Sequence, residues 1–207
     1  MKNLPQTIHY SPYFIILLCY IFIYNSGCNS APKPVMETKG DLTGFELTEI
    51  PGTTAKTAIR KDPSGQVVIE GFLDGDKKTG TWLEHNNEGD ISTLTSYLNG
   101  FQEGPALKFS FRGQVDQRTN FHLGQLDGPW VQYKFGKVME TRQYKNGKLD
   151  GTVKIFDEKS YKLRQETEYK DGKQDGHFRY YDDNGNMTME YEYKNGEKVS
   201  GGMVEKK

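Results

Sequence analysis

Cysteine is nearly absent from this sequence, with two among 207 residues, Cys19 and Cys28. Cys19 sits inside an apolar run at the N-terminus, so a framework of internal disulfides is excluded. Aliphatic bulk is scarce as well: hydrophobic residues make up 34% and mean hydropathy is -0.78, which argues against an ordinary compact globule. An excess of one charge is also missing. The 27 Lys and Arg face 28 Asp and Glu, leaving a net charge of -1 with no long run of either sign. That removes the electrostatic basis for gripping a nucleic-acid backbone. The four histidines, His9, His85, His122 and His177, stand in no metal-ligand spacing and beside no nucleophile motif. No catalytic residue, metal or cofactor is therefore expected, and the protein is expected to be no enzyme.

Rings are what the chain does have. Aromatics reach 13%, with 13 Tyr and 11 Phe, so they carry most of the apolar surface. Tyrosine suits a thin sheet, because its ring can be buried while its hydroxyl stays in water.

The N-terminus differs from the rest. The run "YFIILLCYIFIY", Tyr13 to Tyr24, has twelve residues, whereas a bilayer span needs about 20. Its length fits the hydrophobic region of a secretory signal over residues 1–27. The run ends in "NSGC", in which Ser26, Gly27 and Cys28 resemble a bacterial lipobox, with Asn25 where an aliphatic residue is usual. That resemblance implies that Cys28 receives a lipid and becomes the mature N-terminus, anchored to a membrane of the bacterial cell envelope. A plain secretory peptide and an uncleaved anchor are the alternatives. The stretch 28–54, opening "CNSAPKPVMETKGDLTG", has prolines and no period, and reads as a flexible tether.

From there the chain repeats itself. The phrase "YKNGKLDG" at Tyr144 returns as "YKDGKQDG" at Tyr169 and "YKNGEKVSG" at Tyr193, after "YLNGFQEG" at Tyr97 and "FHLGQLDG" at Phe121. Residues 55–207 hold six units of 23 to 25 residues, beginning at Lys56, Gly80, Gly104, Gly128, Gly151 and Gly176. Each unit carries two turn signals, the Asn-Gly or Asp-Gly of the phrase and a looser midway one such as "NNEG", "FRG" or "DDNG". Turns this close leave room only for strands of about 5–8 residues. An elongated single-layer antiparallel β-meander of about six stacked hairpins is predicted, all-β. At about 4.8 Å between strands, six hairpins extend over roughly 55–60 Å.

With Asn146 and Gly147 in the turn, alternation pairs Lys145 with Lys148, Tyr144 with Leu149, Arg142 with Gly151, Glu140 with Val153 and Val138 with Ile155. One face then collects Tyr97, Phe121, Tyr144, Tyr169 and Tyr193 with Trp82 and Trp130. Gly104, Gly128, Gly151 and Gly176 fall on that face too, where a missing side chain would admit a ring lying flat on the backbone. The other face should be polar, yet His85, Phe109, Tyr133, Phe156 and Tyr181 recur there in five successive units. Either sheet coiling or the tether covers this column, or it is an exposed stripe that docks a partner.

These features, "G-x-W-x-x-Y" and "Y-K-N-G-K-L-D-G" in phase from Lys56 to Gly202, resemble MORN repeats, and more closely the MORN-variant repeats of the YwqK-family antitoxin type. The first unit lacks Trp and the leading Gly, Leu123 replaces a turn Asn, and Ser160 replaces a midway Gly. The resemblance implies a scaffold or binding surface without an active-site motif.

Three functions follow. The foremost is a membrane-anchored, non-enzymatic scaffold that binds a protein or peptide partner; the others are a cell-envelope glycan-binding module and a self-associating spacer. "DGDKKTG" at Asp74 and "DDNGNM" at Asp182 have the look of calcium loops. In the second, Met187 stands where the glycine belongs and Tyr193 where the bidentate acid belongs, so both stretches are read as turns.

Overall fold

The computed structural model describes residues 42–204; Cys28, the signal and most of the tether lie outside the described residues. The described residues belong to the second of two compact units, Ala31–Lys207. Their regular structure is all strand. In chain order these are β1 (Phe45–Glu49), β2 (Ala55–Lys61), β3 (Val67–Asp74), β4 (Lys77–His85), β5 (Ile91–Leu98), β6 (Phe101–Phe109), β7 (Val115–His122) and β8 (Gln125–Leu126). Then come β9 (Gly128–Lys134), β10 (Lys137–Lys145), β11 (Lys148–Leu149), β12 (Gly151–Phe156), β13 (Leu163–Lys170), β14 (Lys173–Tyr181), β15 (Met187–Lys194) and β16 (Glu197–Met203). They form one open antiparallel sheet of 16 strands in sequence order, with the short β8 and β11 lying off the path. This is the β-meander of hairpin repeats that the turn spacing predicts. It starts sooner than expected, because β1 lies within the stretch read as tether and pairs with β2.

The phrase turns adopt the expected geometry. Asn146 and Gly147 have φ of 49° and 78°, Asp171 and Gly172 of 49° and 83°, and Asn195 and Gly196 of 52° and 91°. Leu123 holds the same left-handed position at 48° with no polar side chain to ease it. What sequence reasoning missed is the purpose of the acid that closes the phrase. The Gly147 N–H donates to the carbonyl of Leu126 (2.8 Å) and the Asn146 N–H to the Asp127 carboxylate (3.0 Å), both in the preceding repeat. Gly172 and Asp171 bond to Leu149 and Asp150 in the same way, and Gly196 and Asn195 to Gln174 and Asp175. Each phrase therefore fastens the turn of the next one.

Register departs from simple alternation just past the turn. Lys145 opposes Lys148 and Tyr144 opposes Leu149, as expected, but Glu140 opposes Ile155 rather than Val153. The Asp150 N–H folds back to the carbonyl of Gln143 (2.9 Å), which bulges the strand between β11 and β12 and moves the ladder by two residues. Ile155 is thereby taken from Val138, which on its other side opposes Tyr133 of β9; next to it Met139 bulges and is buried. A slip of two preserves facing, so the predicted face survives.

The glycines need a further correction. Gly104, Gly128, Gly151 and Gly176 oppose Phe121, Tyr144, Tyr169 and Tyr193 across the hairpins. The partner of Gly151 is thus Tyr169, and Tyr144 belongs to Gly128. A Cβ built on Gly151 would meet Gln143 Cβ at 2.9 Å, not a ring, and its φ is 120°. The glycine is required by the backbone of the bulge. A ring does lie flat on a glycine elsewhere: a Cβ on Gly71 would sit 2.6 Å from Trp82 Cγ.

The predicted core face is one transverse row of directly opposed residues. Ala58 opposes Gly71, at which the β3–β4 register shifts and which the Trp82 ring covers; Trp82 opposes Thr95, and the row continues through Ala106 and Thr119 and resumes with Val153, Thr167, Phe178 and Tyr191. Small side chains flank Trp82 on both sides and precede the Phe178 and Tyr191 pair, so the rings have room to lie over their neighbours. Burial is deepest at the N-terminal end, where Ala58, Leu73, Trp82 and Tyr97 cluster with Phe45 and Ile69. No second sheet layer covers this face among the described residues, and cations roof the rings instead. Lys78 Nζ stands 4.6 Å from the Trp82 ring, the Arg142 guanidinium 4.4 Å from Trp130, and Lys198 Nζ 3.8 Å from Tyr191. Both tryptophans are thus engaged on this face.

Candidate functional site: the midway-turn edge

The second set of turns lines one edge of the sheet. In four of them the first residue is a short polar one whose oxygen accepts backbone N–H groups two and four residues on, as Asp62 does from Ser64 (2.8 Å) and Gln66 (3.0 Å). Asn86 and Asp182 repeat this, and Ser110 does so with longer bonds of 3.3 Å. The Asp62 carboxyl lies below its ordinary value, chiefly through the Ser64 hydroxyl. In the stretch at Asp182, read from the sequence as a turn, Asp182 Oδ1 accepts the Asn184 and Asn186 N–H groups. Among the described residues no group of three or more His, Cys, Asp or Glu is placed to hold a metal.

The tips of these turns carry no ring in three units, which have Pro63 and Ser64, Asn87 and Glu88, and Asp183 and Asn184. In the three successive units between Ser110 and Lys162 they carry rings. Phe111 is 79% exposed, Phe135 66% and Tyr161 41%. Phe135 and Tyr161 also have φ of 52° and 59°, where Asn or Gly costs less. Neither burial nor backbone economy explains a ring at such a position.

The predicted stripe lies just inside this edge, and its five members are all half-buried. His85 is engaged on both nitrogens, Nδ1 with the Gly89 carbonyl (3.1 Å) and Nε2 with Glu70 (3.2 Å). Two grooves adjoin the stripe. One, of about 710 Å³, runs from His85 and Asp90 to Phe109, Phe111 and Arg112. The other, of about 620 Å³, lies between the Phe111 and Phe135 tips over Phe109, Tyr133 and Met139, with Asp116, Gln132 and Glu158 on its walls. Lys134 and Glu158 pair at 2.6 Å across that wall, whereas half-buried Asp116 has no ion-pair partner among the described residues. Phe156 and Tyr181 line neither groove. Tyr181 stands among charges, its hydroxyl pushed above the ordinary value by burial and then by Glu166. The structure therefore gathers His85, Phe109 and Tyr133 with Phe111 and Phe135, and leaves Phe156 and Tyr181 apart. Phe111, Phe135 and Tyr161 were missed by sequence reasoning. Their signal was a ring in a turn that other units fill with Asn, Asp or Ser.

The family described as MORN repeat variant matches residues 174–195, the hairpin from β14 into β15, so one unit of the ladder is a recognised MORN repeat. A comparison with curated proteins finds no match. Among solved structures, the crystal structure of TarM is similar at 16% identity over 51% of this chain, with a TM-score of 0.32, and the match spans 21% of TarM.

Proposed function

We propose that this chain is a non-enzymatic repeat scaffold that binds a protein or peptide partner along its midway-turn edge while a lipid on Cys28 holds it to the bacterial cell envelope. The finer likeness to YwqK-type repeats enters here only as architecture, and no toxin is invoked. The observation that carries the proposal is the ridge of Phe111, Phe135 and Tyr161, three exposed rings on successive tips, two of them in a backbone conformation that disfavours them. Exposed aromatic side chains beside grooves are what partner anchors use. Glycan stacking is less favoured, since Trp82 and Trp130 are occupied by cations on the core face.

A photo-crosslinking residue at position 111 or 135, in the full chain in cells, tests this. A discrete adduct is expected from both positions and none from position 145 on the opposite edge. Identical adduct patterns from all three would refute an edge-specific site.

A further inference from the structure

The grooves beside Phe111 limit what kind of segment can lie in them. Every strand that lines them is hydrogen-bonded on both sides, so no free backbone edge is available and a partner cannot enter by strand addition. The occupant has to bring its own conformation and be held by side chains alone. Ring-bearing tips recur every two strands, about 9.6 Å apart. A polyproline II helix turns once in three residues, about 9.3 Å. Each turn of such a helix, running across the strand ends, would place an apolar residue between successive rings with a mismatch well under 1 Å per repeat. Because proline carbonyls lack an N–H partner, the track needs donors, and Arg112, Gln114, Gln132 and Tyr133 stand on the second groove's walls.

Charge adds a second requirement. Within that groove Lys134 neutralises Glu158, and Arg112 stands over its own Phe111 ring at 5.2 Å on the exposed side. Asp116 is left half-buried with no cation among the described residues. A cation carried by the occupant would give this carboxylate a charge-assisted partner inside the groove.

We propose that the ridge of Phe111, Phe135 and Tyr161 is a track for a proline-rich segment in polyproline II conformation, with a basic side chain entering beside Asp116. This rests on the binding role given above to the same edge and names the class of its partner.

The test titrates the full chain, in detergent micelles, with a synthetic peptide of repeating Pro-Pro-Arg triplets and with an Ala-Ala-Arg peptide of equal length and charge. Backbone amide shifts in the protein report binding. The Pro-Pro-Arg peptide should bind at least about tenfold more tightly, a difference of about 1.4 kcal/mol, and shift the amides of the 110–114 and 134–137 turns. Phe111→Ser with Phe135→Asn should abolish this, and Asp116→Asn should remove the preference for Pro-Pro-Arg over a Pro-only peptide. Equal affinity for both arginine peptides overturns the proposal, and so does a response to a linear oligosaccharide alone. If crosslinks still form from positions 111 and 135 while no proline peptide binds, the partner class is wrong and the binding edge stands. If those crosslinks are also missing, the edge itself is wrong.

Discussion

The Asp127 carboxylate accepts the backbone N–H of Asn146 at 3.0 Å, reaching from the end of one repeat to the turn of the next. Asp150 with Asp171 and Asp175 with Asn195 repeat the contact at 3.2 Å. A Gly N–H to a carbonyl of the preceding repeat runs beside each. These paired bonds couple neighbouring hairpins at the edge opposite the ring-bearing tips. Asp127→Ala should therefore cost about 1 kcal/mol, since a bond to a charged acceptor is lost. Lys145→Ala, at an exposed position, should stay within about 0.5 kcal/mol. Hydrogen exchange at Asn146 should accelerate in the first variant only.

Gly71 and Trp82 make a second test. The indole covers the glycine and donates from Nε1 to the Phe72 carbonyl at 3.0 Å. A methyl group at position 71 has no space, so Gly71→Ala should destabilise by about 1–3 kcal/mol through overpacking and shift the emission of Trp82. Gly202→Ala, where a Cβ meets nothing within 4 Å, should be silent in both measurements.

The His122 and Glu103 side chains pair at 2.9 Å across neighbouring strands. His122 is raised above its ordinary 6.5, first by that hydrogen bond; Glu103 is lowered from 4.5, first by the Leu123 N–H and then by His122. A raised histidine adds stability that is complete below its unfolded value and fades as pH climbs through the folded one. A lowered carboxylate adds stability that is complete above its unfolded value and fades as pH falls through the folded one. The pair therefore contributes most between about 4.5 and 6.5. Glu103→Gln should bring the NMR titration midpoint of His122 down towards 6.5; an unchanged midpoint would mean the two do not interact in solution.

Phe135 separates folding from binding. Its φ of 52° disfavours a ring, so Phe135→Asn should raise stability by about 0.5–1 kcal/mol while weakening attachment of the partner. Urea unfolding and crosslinking on the same preparation measure the two effects. A loss of stability would show instead that the ring has a structural purpose.

The sequence was most informative where local chemistry decides the outcome. Asn146 and Gly147, Asp171 and Gly172, and Asn195 and Gly196 marked their turns, because positive φ is cheap only for such residues. Tyr144 and Trp130 could be assigned a face because alternation has a period of two. The bulge at Asp150 and Gly151 was hidden, since whether an N–H turns back to Gln143 or joins the ladder depends on the neighbouring strand. Alternation alone therefore placed Val153 opposite Glu140, two residues out of register. At the edge, periodic pattern pointed to His85, Phe109 and Tyr133, but Phe156 and Tyr181 followed the same pattern and lie away from the grooves. Phe111, Phe135 and Tyr161 broke the pattern instead, at tips where the repeat asks for small polar residues.

The most direct measurement removes all three rings together, Phe111→Ser, Phe135→Asn and Tyr161→Asn, in the full chain. Its melting temperature is then compared with the yield of crosslinked partner, the photo-crosslinking residue standing at exposed groove position 114 in both the parent and the variant. A surface kept for binding predicts a melting temperature equal to or above that of the parent chain and loss of the adduct. A lowered melting temperature with the adduct retained would contradict it.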